Sequence, residues 1–157
     1  MLSRLKYLKA KLTFLMLIIL VFTANNVLFA EANKGKIIMQ VNGFKNSTGT
    51  ARILIFSAKE AKYFPADQSK AYAKHVVPIK NNKVSFTFEN LPYGDYAISV
   101  HHDEDNNGKV NTNFFGIPNE GLGGSNDAKG FFGPPSFEKA KVMLYVESVS
   151  IVINMVN

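Results

Sequence analysis

From Lys36 onward the apolar residues of this chain recur at every second position, a period that puts alternate side chains on opposite faces of an extended backbone and not along one helical stripe. Ile37, Met39 and Val41 point one way and Lys36, Gln40 and Asn42 the other; Gly43 to Gly49 then reads as a turn, most simply that of a hairpin. Ala51 to Phe56 is apolar in both phases, as befits a central strand covered on both sides. Val84, Phe86 and Phe88 alternate with Ser85, Thr87 and Glu89, and Asn90, Pro92 and Gly94 turn the chain into Tyr96, Ile98 and Val100, a second expected hairpin. Val142, Leu144 and Val146, then Val149, Ile151, Ile153 and Met155, close the pattern around a turn at Glu147-Ser148. His75 to Ile79 adds a short strand that Pro78 assigns to a sheet edge, and the Ala- and Lys-rich stretch from Ser57 to Lys74 reads as helical turns or a solvated connection broken by Pro65. Six to seven strands over residues 33–157 predict an all-β fold: one antiparallel β-sandwich of the immunoglobulin-like or prealbumin-like kind.

The first 32 residues break that period. Leu12 to Phe22 is almost unbroken hydrocarbon, preceded by Arg4, Lys6, Lys9 and Lys11 and followed by Asn25-Asn26 and by Ala30-Glu31-Ala32, a small-residue cleavage pattern. Residues 1–32 therefore read as a signal peptide. An apolar core of this length is short against the roughly 20 residues that span a bilayer, so no transmembrane span is expected after its removal, and the protein is expected in the periplasm or outside the cell. Removal takes four of the 18 basic residues and one of the 12 acidic ones, Glu31, which lowers the net charge from +6 to +3. No stripe of Lys and Arg with interleaved aromatics remains, which argues against nucleic acid as partner. The absence of cysteine excludes a thiol nucleophile, a Cys zinc site and a disulfide framework.

One stretch departs from the strand pattern. Residues 102–139 carry 7 of the 11 glycines and 3 of the 6 prolines, yet also Phe114, Phe115, Phe131, Phe132 and Phe137. A loop this long is uncommon in a compact domain and is often functional; its apolar content predicts an ordered loop packed on one end of the sandwich. At its head, Asp103-Glu104-Asp105-Asn106-Asn107-Gly108-Lys109-Val110-Asn111 puts oxygen-bearing side chains at relative positions 1, 3, 5 and 9, with glycine at 6. Alternate side chains of a tightly curled segment converge on one point, glycine permits the bend, and position 7 offers a backbone carbonyl. Asp103, Asp105, Asn107, the carbonyl of Lys109 and Asn111 are the candidate metal ligands, and hard oxygens select calcium. Position 12 is Phe114 and not a bidentate Glu, so this is no EF-hand; Glu120 or Asp127 would have to complete the shell, and affinity should be weak, on the order of 10⁻⁴ to 10⁻³ M. His102, Phe114, Phe115, Phe131 and Phe132 are candidates for a ligand-contacting surface. His101 and His102 fall on opposite faces of a strand, which argues against a shared metal, and Ser125 has neither a nucleophile elbow nor an assigned base.

Four ordered motifs then acquire a joint meaning: Leu91-Pro92-Tyr93-Gly94-Asp95-Tyr96-Ala97-Ile98, His102 to Lys109, Phe115 to Gly121 and Gly133 to Ala140. Together they resemble the exported bacterial family known as domain of unknown function 2141, from about Lys36 to the C-terminus. The family's bend typically reads D-E-N-x-N-G-K-x-D; here Asp105 stands for Asn and Asn111 for Asp, which keeps the oxygens and moves a charge. The resemblance implies a secreted β-sandwich and supplies no activity. The L-P-x-G-x-Y-x-I signature also looks like that of prealbumin-like accessory modules, which lowers the prior for an enzyme by analogy.

The functional expectation is an exported, non-enzymatic binding or structural module with a protein or cell-envelope partner. The alternatives are a carrier of a small apolar ligand, with the phenylalanines lining a pocket, and a metal-dependent hydrolase built on His101 or His102, Asp103 and Glu104. Intact-mass measurement of the exported protein should give a chain beginning near Asn33; a mass that retains residues 1–30 would contradict cleavage.

Overall fold

The computed structural model describes residues 33–131 and 133–157; the expected signal segment and Phe132 lie outside the described residues. Strands β1 (Lys34–Asn42), β4 (Lys83–Pro92) and β8 (Ser148–Asn154) form a three-stranded sheet in the order β4-β1-β8. Strands β2 (Thr50–Ser57), β3 (Ala73–Pro78), β5 (Gly94–Asp103) and β6 (Leu122–Gly124) form the other sheet in the order β3-β2-β5-β6, and β7 (Val142–Leu144) pairs with one end of β5. The fold is the all-β sandwich that the alternation implies. β2 is central and β3 lies at the edge, as Pro78 requires. The described residues hold eight strands, the eighth being β6, whose Leu-Gly-Gly sequence carries no alternation to read.

Both expected hairpins are corrected. β1 and β2 belong to different sheets, and so do β4 and β5. Each apolar row must meet a row from the opposite sheet, so a turn that carries the chain across the sandwich buries both rows as well as a hairpin would. One pairing is parallel: β1 lies beside β8 with Ile37 opposite Val149, Met39 opposite Ile151 and Val41 opposite Ile153. A parallel pair needs a long connection, and here nearly the whole domain supplies it, so the first and last strands seal each other.

The main core lies between the sheets and contains Ile37, Met39, Val41, Ile53, Ile55, Val84, Phe88, Tyr96, Ile98, Val100, Leu144 and Ile153. A second, smaller core covers the outer face of β2 and β5, where Leu54, Phe56 and Ala97 meet Phe64, Phe137 and Ala140. Phe64 follows a 3₁₀ turn, Ala58–Tyr63, capped by Ser57 and Glu60, while Phe137 and Ala140 lie on the short helix α1 (Phe137–Ala140), capped by Ser136. The rings of Phe56, Phe64 and Phe137 stack edge to face in sequence at 5.5 and 6.3 Å. Thus β2 is apolar in both phases because both of its faces are covered.

Where β4 crosses into β5, the Tyr96 hydroxyl donates to the Pro92 carbonyl at 2.7 Å, tying the corner from inside. Burial pushes the Tyr96 phenol up to about 12, with the charges of Tyr72 and Glu60 adding to the shift. A raised phenol stabilises the fold below its ordinary value of 10 and loses that contribution as pH climbs from there to about 12. Tyr96→Phe should cost about 1 kcal/mol in urea unfolding at neutral pH and should remove this alkaline step; an unchanged alkaline profile would contradict the assignment.

Candidate functional site

The site is built on the register between β5 and β6. Ser99 lies opposite Gly124, Val100 opposite Gly123 and His101 opposite Leu122, and the His102 amide donates to the Gly121 carbonyl at 2.9 Å. Carried one step further, the same register sets Glu120 opposite Asp103. The intervening chain curls into the acidic bend and then into a small hairpin, in which Asn119 N–H donates to Asn111 O and Asn113 N–H to Ile117 O, both at 2.8 Å. The excursion from Asp103 to Gly121 is therefore closed at its base and subdivided along its length.

Within the bend, Asn106 and Gly108 adopt φ of 59° and 79°, the left-handed conformations that turn the backbone back on itself. Asp103 is fully buried: its Oδ1 accepts from Asn107 N–H at 3.1 Å and its Oδ2 from Gly108 N–H at 2.9 Å. Asp105 is exposed; its Oδ2 accepts from the side-chain amides of Asn107 and Asn111, each at 2.8 Å. The Asn111 bond is the first of several that hold the Asp105 carboxyl below its ordinary range. Lys109 is exposed, and its N–H donates to Asn107 Oδ1 at 2.7 Å. Four of the five ligands expected from spacing, Asp103, Asp105, Asn107 and Asn111, are thus tied into one hydrogen-bonded cluster, with Lys109 at its rim.

Glu120 joins this cluster. Its side chain returns to the bend, and one oxygen each of Asp103, Asp105 and Glu120 lie within 4.8 Å of one another. Oxygens bound to one calcium ion at 2.3–2.6 Å can be at most about 5 Å apart, so the separation suits a shared cation. Burial alone pushes Glu120 up, but the Asn111 N–H at 2.8 Å, His101 Nε2 at 2.8 Å and the Glu104 N–H at 3.0 Å outweigh it, and the carboxyl is held below its ordinary range. An ionised Glu120 can only accept, so His101 Nε2 carries the proton in this pair. Asp127, the other residue weighed for this place, binds Asn154 N–H and its side-chain amide, each at 2.8 Å, and so ties the loop to β8.

Arg52 on β2 approaches Asp103 Oδ2 at 3.5 Å. It is the lone arginine after residue 32, placed in a strand otherwise apolar, a signal the spacing of the bend did not include. Three carboxylates with one guanidinium leave two negative charges, the amount a divalent cation neutralises. The bend is further held by Thr50 Oγ1 donating to Asn106 Oδ1 at 2.9 Å and by Asn46 Nδ2 donating to Glu104 Oε2 at 3.1 Å. Gly49, at φ of 70°, lies where a Cβ would overlap the Asp103 carbonyl, so glycine lets the 43–49 corner close against the end of β5.

Two expectations about the loop are corrected. His102 is fully buried and is no part of a ligand-contacting surface: its ring packs edge to face on Phe44 at 5.3 Å and its Nε2 donates to the Thr48 carbonyl at 2.9 Å. It sits on the opposite face of β5 from His101, as the strand geometry required; His101 bonds the acidic cluster through Glu120 and His102 does not. The expected packing of the loop's rings on the sandwich does not extend to Phe114, Phe115 and Phe131, which are 96%, 82% and 88% exposed; among the described rings of the loop, Phe137 joins a core. The hairpin that carries Phe114 and Phe115 is stable without them because its backbone bonds to itself and to Asn113. Ser125 is structural: it accepts from Ile98 N–H at 3.0 Å and donates to the Ala140 carbonyl.

Residues 39–152 match the model of a family described as "Uncharacterized protein conserved in bacteria (DUF2141)", and the chain belongs to that family. Nothing among the curated proteins or the solved structures matches it.

Because the Glu120 carboxyl is held below its ordinary value, its contribution to stability is complete above about the ordinary 4.5 and fades as pH falls below it. Glu120→Gln should cost about 2 kcal/mol at neutral pH, the scale of hydrogen bonds to a charged acceptor, and should flatten the loss of stability between pH 5 and the acid limit. An acid profile equal to that of the unaltered protein would contradict this role.

Proposed function

We propose that this chain is an exported, non-enzymatic binding module in which the bend at Asp103 takes a calcium ion and thereby fixes the pose of an aromatic hairpin. The convergence of Asp103, Asp105 and Glu120 carries the reading. Asn107, Asn111 and the Lys109 carbonyl are the further oxygen donors. The amide groups of Asn107 and Asn111 now turn their NH₂ ends to Asp105; rotation about the terminal bond would present oxygen instead, at the cost of those bonds. That exchange, with one bidentate position missing, keeps the expected affinity on the order of 10⁻⁴ to 10⁻³ M, suited to compartments where calcium is abundant. Hard oxygens and a flexible donor set favour calcium over magnesium, which demands a near-ideal octahedron.

Asn111 is the mechanical link. Its side chain binds Asp105, its N–H binds Glu120, and its carbonyl accepts from Asn119 in the hairpin that presents Phe114 and Phe115. Ordering the bend therefore orders the base of the hairpin. Support for export comes from the layout of residues 1–32; against the hydrolase alternative, the Nε2 of His102 is taken up by the Thr48 carbonyl and that of His101 by Glu120. Exposed rings in place of a lined concavity weigh against the apolar-ligand carrier.

Calorimetric titration of the exported protein with calcium should show one weak site, and 10 mM calcium should stabilise the fold by about 1.4–2.7 kcal/mol, the linkage expected for that affinity range. Asp103→Asn combined with Asp105→Asn should abolish both effects. The absence of both heat and stabilisation with the unaltered protein would overturn the calcium reading.

A further inference from the structure

We infer that the hairpin tip Asn113–Ile117 is a membrane wedge whose partner is the surface of a lipid bilayer. Phe114, Phe115 and Ile117 are 96%, 82% and 59% exposed. A single exposed apolar residue needs no explanation, whereas three large ones on five consecutive positions do. The two phenyl rings touch each other edge to face at 5.5 Å. A Cβ added to Gly116 between them and Ile117 would meet nothing within 4 Å. The tip is thus a projection and not the wall of a groove, which disfavours a small ligand that needs enclosure.

The backbone of the tip selects among the remaining partners. Asn113 Oδ1 accepts from Phe115 N–H at 2.9 Å and from Ile117 N–H at 3.0 Å; Asn113 O accepts from Gly116 N–H at 2.9 Å, and Asn113 N–H donates to Ile117 O at 2.8 Å. One asparagine therefore satisfies the donors of the three residues at the apex. A strand-adding protein partner would require those groups free. A hydrocarbon boundary requires them closed, because each unpaired polar group costs several kcal/mol there. The hairpin carries no charged residue from Val110 to Asn119, so no charge has to leave water when its tip enters the headgroup layer. Aromatic rings on such a tip partition to the level of the lipid headgroups.

The inference deepens the binding-module reading, on which it rests for access to a membrane-lined compartment, but it does not need calcium. Flotation with vesicles of phosphatidylethanolamine and phosphatidylglycerol, in calcium and in chelator, separates the two. The unaltered protein should float, and Phe114→Ser with Phe115→Ser should reduce its partition at least tenfold with an unchanged melting temperature, since neither ring is packed. The chain has no tryptophan, so the indole of a Phe115→Trp variant reports from the tip alone and should shift to the blue on adding vesicles. Equal flotation of unaltered and double-variant protein, no flotation, or an unshifted indole overturns the membrane assignment, as a tip that docks on protein would. Loss of flotation in chelator alone bears on the calcium-set pose and leaves the lipid partner standing.

Discussion

A buried carboxylate that accepts three N–H donors from separate parts of the chain holds the acidic bend and its hairpin together. Glu120 gathers His101 from β5, Glu104 from the start of the bend and Asn111 from its end. The β5–β6 register brings it opposite Asp103, and Gly123 lets the short strand lie against the end of β8, since a Cβ there would press on Ile153 and Met155. Strand pairing, bend and hairpin are thus one construction.

The rest of the sandwich supplies rigidity where that construction is seated. β5 pairs with β2, β6 and β7, and both of its faces are covered, by the main core on one side and by the phenylalanine-linked second core on the other. A strand held on every side is a fixed platform, and Asp103 is its last residue. Ser125 and Asp127 tie the far end of the loop to α1, β5 and β8, so the excursion is anchored on both flanks. Among the described residues no helix is long and apolar enough to cross a membrane.

Alternation revealed the β class and the opposed faces of His101 and His102, which follow from a period of two; the central place of β2 was legible from apolar residues in both phases, and the edge position of β3 from Pro78. It did not reveal which strands pair. Gly43–Gly49 and Asn90–Gly94 are rich in turn formers, and a turn that stays within a sheet has the same composition as one that crosses between sheets. The bend was legible from its Asp, Asn and Gly spacing. Glu120 was nameable as a candidate but not assignable, since its place depends on the pairing of a strand reading Leu-Gly-Gly. The phenylalanines misled for an instructive reason: five rings in a loop suggest a packed lid, yet one asparagine can close a hairpin from within and leave its rings outside.

The claim on which the account turns is that Glu120 closes the aspartate bend around one cation. The most direct measurement is a crystal structure grown in calcium with anomalous data. The account predicts a single peak about 2.3–2.6 Å from oxygens of Asp103, Asp105 and Glu120. An empty bend, or a peak bound by the aspartates with Glu120 turned away, would contradict it.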